Sequence, residues 1–532
     1  MGKPGFNSSS NFSLINEVEE FNFLKQKQFK PVSQCLEFFK ASYASIATAL
    51  GVFLINSFSM VAANSTENNK IVAGYAVGFT CYMCLQVAVV MSINDGLFTQ
   101  LSQAFGAKNF RYMGILLQRG FWINVLYIII TFPIVSQLQQ IMMFFNVEEV
   151  TAKNAQIFVL YSLPGIICYI GGEVIKQLFM ASREFHIPMY IQNFSYGISA
   201  IFLYIFVVNL QWGVPGIAIA RSCSEFLGFV LMYIFLKKDI RDKQEESLFF
   251  ESWIPLTMEA LRLQEIWDFL VKSFTIGACV YLENIFFEIQ MLMVATYGNE
   301  EQLAAHASFC QLLLFFYMIP FGMGLSANTF MGNLMGAGKD QVAQNFSKII
   351  VSATITFVVA FQILGWILKN FFTRYFTTEG DMRMYFEQIY ELYLIMYFIP
   401  DSFQVIISSV LRSLGQQDYA MYVFFGAYYL IGTPLGYFMI FTMDLGTYGA
   451  WINFGIVSWI TCILYLYKLK QVNVKKASTK IRQQIMEECI QGDIELTMEK
   501  ALSEKLMDGQ QEVSPLKAQE LQIIVPNKLQ KY

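Results

Sequence analysis

Charge is what this chain has least of. Charged residues make up 14% of its 532 positions and hydrophobic ones 55%, whereas soluble domains carry about 25% charged residues. That excludes an ordinary soluble enzyme or binding domain. Histidine is nearly absent, with two in the chain, and the close cysteine pair Cys81 and Cys84 lies inside an apolar run. Packing rather than metal binding is therefore expected there, and no metal centre or cofactor. The net charge of −4 is too small, without any recognition motif, to argue for nucleic acid. The glycine-rich stretch Gly332–Gly338 is not followed by Lys-Ser/Thr, so it is no phosphate loop. With no nucleophile elbow, paired-histidine motif or soluble ATPase domain in view, the chain is not expected to be an enzyme. The beginning lacks the charged region and short apolar core of a cleavable signal. Phe6 stands where a myristoylation signal wants Ser or Thr.

What is present is a series of long apolar runs. A span of about 20 apolar residues crosses a bilayer, and such runs fall near 37–62, 71–93, 119–138, 155–181, 187–209 and 214–236. A second set follows near 269–297, 302–327, 347–371, 386–411, 417–442 and 446–468. The expected fold is an all-α polytopic membrane protein with twelve transmembrane helices in two six-helix lobes. Its expected organisation is a polar arm (1–35), an N-lobe (36–236), a connector (237–267), a C-lobe (268–468) and a polar tail (469–532). The tail has an amphipathic helix near Ser478–Gln491 and a disordered end beyond Asp508. Connections on the side of the N-terminus hold about 18 Lys and Arg, against about five on the other. That excess marks a cytosolic face with both termini on it. Asn64-Ser65-Thr66 is then an outer-loop glycan acceptor, while the sequons at Asn7 and Asn11 are not. In the connector, Leu248–Leu256 has aromatics suited to the membrane interface.

The two sets of spans echo one another at an offset of about 230–236 residues. Gly106-Ala-Lys108 after the second span answers Gly336-Ala-Gly338-Lys339 after the eighth. Pro164 answers Pro400, Met189-Tyr190 answers Met421-Tyr422, and Gly213-Val-Pro-Gly216 answers Gly446-Thr-Tyr-Gly449. Six spans per half preserve orientation, so the lobes are expected to be related by a pseudo-two-fold axis along the membrane normal. That arrangement is typical of transporters, which handle substrate between the lobes.

The seventh span carries the strongest site signal. Cys279–Met293 reads CVYLENIFFEIQMLM, with Glu283 and Glu288 in an otherwise apolar run. An ionisable side chain at that depth costs roughly 2.5–3.5 kcal/mol even on lenient scales, so it marks an ion or substrate pathway by default. On a helical wheel Tyr281, Glu283, Asn284, Phe287, Glu288 and Gln290 fall on one half. They are the expected lining of a wet cavity, where Tyr281 and Phe287 can offer cation–π contacts. The two carboxylates lie about 140° and about 7.5 Å apart, too far to share one proton. The alternative is a pair of structural glutamates bonded to a neighbouring helix. Asp401 follows Pro400 in the tenth span, where proline frees a carbonyl and permits a bend; it is either a hydrated site or a cap beside the kink. Asp95 ends the second span and is assigned to the interface before function. Glu173 with Lys176 and Arg221 with Glu225 are read as neutralising pairs, and His306 as a packed, hydrogen-bonded residue.

Taken in order, SQAFGAKNFRYMGILLQRG (Ser102–Gly120), GVPGIAIA (Gly213–Ala220), LAAHASF (Leu303–Phe309), YMIPFGMGLSANTFMGNLMGAG (Tyr317–Gly338) and VLRSLGQQDYAMYV (Val410–Val423) resemble the multidrug and toxic compound extrusion (MATE) family over roughly residues 36–468. The resemblance implies two six-helix lobes forming a V. It implies alternating access that exports organic cations or amphiphiles against entering protons, sodium being the other family ion. LENIFFE is similar to the eukaryotic branch, so Glu283 and Glu288 match its paired acids and Asp401 an acidic position of the tenth span. The first-span aspartate of bacterial members has no equivalent, Asn56 and Ser57 being the nearest polar residues. The second-span acid of the family aligns with Phe98 unless Asp95 substitutes, and Gln302 stands where some relatives open the eighth span with an acid. Coupling is thus expected in the C-lobe, with Asn56 and Asp95 left as an N-lobe polar site. The resemblance implies a monomer in the plasma membrane or an intracellular, vacuolar-type one. A lipid-linked oligosaccharide flippase of the same superfamily would favour a basic cavity, which the acidic seventh span opposes. A major-facilitator carrier lacks its Gly-Asp-Arg-type loop here, and a membrane-embedded enzyme lacks a nucleophile or metal constellation.

Overall fold

Long uncharged segments satisfy their backbone groups within helices, as an apolar surrounding requires. The structure, a computed structural model, describes residues 31–377 and 380–488. Twelve helices are long and apolar enough to cross a membrane. They are α1 (Ser33–Asn64), α2 (Asn69–Gly106), α3 (Phe110–Ser136), α4 (Glu149–Ala181), α5 (His186–Asn209), α6 (Val214–Lys243), α7 (Leu263–Tyr297), α8 (Glu300–Gly336), α9 (Asp340–Phe376), α10 (Asp381–Ser413), α11 (Gln417–Thr442) and α12 (Gly446–Gln471). Every apolar run corresponds to one helix, and most helices run past the hydrophobic edge used to find them. The sequons at Asn7 and Asn11 and the chain beyond 488 lie outside the described residues.

Among the described residues there are four apolar clusters, three of them large. One lies within α1–α6, around Tyr82, Phe158 and Ile166. A second lies within α7–α12, around Phe309, Tyr393 and Trp451. The third draws on both halves, joining Phe38, Leu101, Leu116 and Leu178 to Phe330, Leu334, Ile350 and Val410. In chain order these residues sit at the start of α1, the end of α2, the start of α3 and so on, always at one end of the bundle. The lobes are therefore fused at the end that carries both the start of α1 and the exit of α12, and have separate cores at the other. This is a V.

Small residues make the fused end possible. A Cβ on Gly277 would collide with the backbone of Ser92, and one on Gly336 with that of Gln103. The approaching backbones are then pinned by polar side chains across the joint. Ser92 Oγ donates to the Gly277 carbonyl at 3.0 Å, Asn328 Nδ2 to Thr99 Oγ1 at 2.9 Å, and Gln103 Nε2 to the Ser413 carbonyl at 3.0 Å.

Both flanks pack against the lobes. The connector segment Leu248–Leu256 does not simply lie at the interface; it wraps the N-lobe. Phe249 is buried against Phe179 at 5.0 Å, and Gln118 of α3 donates to the carbonyls of Ile254 and Pro255. The amphipathic helix expected near Ser478–Gln491 is present and begins earlier, at 474. This helix, α13 (474–488), starts where the Asn473 side chain accepts from the Lys476 amide, and it buries Ile481 and Ile485 in the shared core.

Candidate functional site

The faces of α7 explain the placement of the two glutamates. Glu283, Phe286, Gln290 and Val294 recur at helical spacing and are all buried against the C-lobe, while Glu288 and Leu292 stand exposed. The polar half of the wheel is thus divided rather than shared. Glu283 points into the C-lobe. Tyr317 Oη of α8 donates to its Oε2 at 3.0 Å, and Gln404 Nε2 of α10 approaches its Oε1 at 3.5 Å. The chain continues through Tyr428, whose hydroxyl donates to Gln404 Oε1 and meets Ser458 Oγ, both at 2.9 Å.

Glu283, Tyr317 and Gln404 border a cavity of about 20 Å³ whose wall also includes Cys279, Ser409 and Arg412. A space of roughly 10–15 Å³ holds one water, so the cavity has room for about one water. Asp401 is one turn before Gln404 on α10 and 2% exposed. It is near enough for its charge to act on Glu283, and its Oδ1 has no hydrogen-bond partner among the described residues. A π-helical turn, Tyr393–Tyr397, precedes Pro400. Such a widened turn accommodates the proline, which clashes with the carbonyl four residues back.

Glu288 belongs to the other side of α7. Its charge reaches the thiols of Cys81 and Cys84 on α2 and of Cys310 on α8. It therefore looks into the cleft between the arms of the V. Of the other expected lining residues, Tyr281 and Asn284 are half-buried, Asn284 donating to the Val280 carbonyl of its own helix. Gln290 does not line an open cavity, and Phe287 is half-buried. Phe287 stacks on Phe454 with centroids 4.6 Å apart, and Gln290 is wholly buried beside Gly436. Both sit on the edge of the wheel that the C-lobe claims.

The N-lobe positions separate from one another. Asn56 accepts from Arg221 Nη1 at 2.8 Å, and the guanidinium lies over the rings of Phe79 and Tyr82. Arg221 thus makes its contact with Asn56, not the expected ion pair with Glu225, whose Oε2 accepts instead from Tyr196 Oη at 3.3 Å. The Glu173–Lys176 pair does form. Asp95 is elsewhere, at the fused end, where its Oδ2 receives Arg412 Nη1 from the opposite lobe at 2.8 Å. His306 is packed as expected, its Nδ1 accepting from Trp451 Nε1 at 3.1 Å. Tyr317, Gln404, Tyr428 and Arg412 escaped sequence reasoning. Gln404 was within reach of it, because an i,i+3 step from Asp401 shares its face; Tyr428, on another helix, carried no such mark.

Comparison with known proteins gives the same picture. The profile of the MatE family matches residues 44–205 and again 276–438, once in each lobe. Multidrug and toxin extrusion protein 1 of Oryctolagus cuniculus is 24% identical over 440 residues, covering 81% of this chain and 74% of that protein. Protein DETOXIFICATION 31 of Arabidopsis thaliana is 23% identical over 474 residues, covering 88% and 86%. Among solved structures, the eukaryotic MATE transporter AtDTX14 superposes with a TM-score of 0.77 at 21% identity, covering 86% of this chain and 99% of that one. An outward-facing multidrug resistance MATE family transporter superposes at 0.72 with 13% identity, covering 85% and 100%. With a profile match in each half and the two-lobed fold around it, the chain belongs to the MATE family of multidrug and toxin extrusion transporters.

Proposed function

We propose that the chain is a proton-coupled antiporter that exports organic cations or amphiphiles, and that Glu283 and Glu288 divide the work. One observation carries this reading: Glu283 is buried beside a small space with room for about one water, whereas Glu288 stands exposed toward the cleft. A proton or hydronium reaches the first; only the second can meet a molecule the size of an organic cation. Neutralising the inner carboxyls, Glu283 with Asp401 beside it, removes negative charge from the wall of the cleft and weakens its hold on a cation. The cation then leaves through the open arms of the V.

The orientation belongs to the same proposal. The fused end carries the exit of α12 and the connector, and it is the end richer in Lys and Arg, which sets it toward the cytosol. Both termini are then cytosolic, and the V opens outward in the plasma membrane or a vacuolar-type membrane. The working unit in this proposal is one chain. The test is efflux of a labelled organic cation from proteoliposomes across imposed proton and sodium gradients. Exchange driven by the proton gradient is expected; exchange that follows sodium alone would replace the coupling ion. External labelling of a tag at Met1 or Tyr532 in intact cells would overturn the orientation.

A further inference from the structure

From Leu445 to Met486 the chain contains no Asp or Glu, yet it holds Lys468, Lys470, Lys475, Lys476, Lys480 and Arg482. Two of these have local partners: Lys468 sits over the Tyr419 ring at 4.7 Å, and Arg482 lies against Gly338. The other four, Lys470, Lys475, Lys476 and Lys480, are exposed and form no ion pair among the described residues. Helix geometry sorts α13 into two sides. Ser478, Ile481 and Ile485 face the protein, with Ser478 Oγ donating to the Met335 carbonyl at 3.1 Å. Lys476 and Lys480 lie on the opposite side and Lys475 on its flank. Only residues 472–473 separate α13 from the last span, so this basic side starts at the membrane surface. Lys272 of α7 is close enough to Lys480 for their like charges to interact, and the nearby Glu488 is engaged by Arg119 at 3.7 Å.

We propose that Lys470, Lys475, Lys476 and Lys480 form a binding surface for the phosphate-bearing headgroups of anionic phospholipids, and that bound lipid holds α13 on the fused end of the V. Clusters of four to eight Lys and Arg directly beyond a membrane span attract anionic lipid, each contributing to the affinity. Position gives the lipid a consequence. Through Met335, Gly338 and Gly415, α13 rests on the C-lobe, and through Glu488 it reaches Arg119 of the N-lobe. A headgroup that fixes the helix therefore acts on the joint that must open for alternating access. The inference rests on the orientation proposed above, which places α13 at the anionic leaflet.

The experiment uses the full chain in nanodiscs of phosphatidylcholine, with or without phosphatidylserine or a phosphoinositide, and reads amide hydrogen exchange across 474–488. Nanodiscs expose both faces to the same lipid, so a wrong orientation would show in tag labelling and not here. Anionic lipid is expected to slow exchange in α13, and high salt to reverse that protection. The K475Q/K476Q/K480Q variant keeps Ile481, Ile485 and Ser478 for docking, and its apparent affinity for anionic lipid should fall at least tenfold. Exchange that is equal in all nanodiscs overturns the proposal. Protection by soluble inositol phosphate in pure phosphatidylcholine discs, equal to that by lipid, overturns the assignment to the membrane. Equal lipid response in the variant overturns the choice of residues.

Discussion

A carboxylate is worth what its surroundings allow it to bind, and at the residue scale the two glutamates of α7 differ in that respect. Glu283 is enclosed with hydroxyl and amide donors, so Glu283→Gln keeps its volume and hydrogen bonding and removes only its titration. Proton-driven cation exchange by this variant is expected to fall at least a hundredfold, with proteoliposome flux becoming independent of the pH gradient. Native-rate exchange in the Glu283→Gln, Glu288→Gln double variant would end the antiport reading altogether. Glu288→Gln is expected to act on substrate instead, raising KM for a cation tenfold or more. Loss of one charge-assisted contact of about 1.5–3 kcal/mol gives a change of that order. A kcat that falls while KM stays fixed would place Glu288 with the proton. Asp401 stands next to Glu283 without a partner for one oxygen, and Asp401→Asn should lower the rate or shift its pH optimum while some activity persists. An unchanged rate and pH profile would make it a structural polar group.

Elements, rather than single residues, decide whether the V can rock. At the fused end α2, α7, α8 and α10 are joined by backbone approach through glycine, and the buried ion pair of Asp95 with Arg412 crosses from lobe to lobe. Breaking a buried pair by removing one partner costs about 3–5 kcal/mol, whereas removing both can be nearly neutral. Asp95→Asn alone is therefore expected to loosen the joint and lower the thermal midpoint in detergent. Asp95→Asn with Arg412→Gln should recover most of that loss. Additive losses in the double variant would show that the two charges are not coupled. The role of Asp95 marks the boundary of what the sequence could tell. Helix number, repeat and acidic spans follow from composition and order, because an apolar surrounding leaves the backbone few options. Which way a side chain leaves its helix depends on the neighbours. Glu283 and Glu288 were legible as a polar pair, but only the packing of α7 against Phe454 and Tyr317 sends one inward and the other to the cleft. Arg221 shows the same limit: its i,i+4 spacing from Glu225 is sound, yet Asn56 of α1 and two aromatic rings capture it first.

On the scale of the whole molecule, the fused end is closed by more than the twelve spans. α13 places Ile481 and Ile485 in the core shared by the lobes, at 5% and 8% exposure, and ends where Glu488 meets Arg119. Arg119 is itself buried and also paired with Glu265 at the start of α7, so helices of both lobes and α13 converge on one guanidinium. Reading the chain after Val474 as a polar extension makes it dispensable for transport; its docking makes part of it structural. Burying one isoleucine side chain is worth about 1.5–3 kcal/mol, so removing α13 uncovers apolar surface worth several kcal/mol at the joint between the lobes. A chain ending at 473 is expected to lose thermal stability and to pass more readily to the form open at the fused end. A chain ending at 490 should behave as the full protein. The measurement pairs thermal unfolding with the distance between spin labels on the loops at the open end, such as at Asn68 and Asn299, which should shorten when the arms close. If the chain ending at 473 keeps both the thermal midpoint and the label distance of the full protein, α13 rests on the transporter without holding it, and the joint is made by α1–α12 alone.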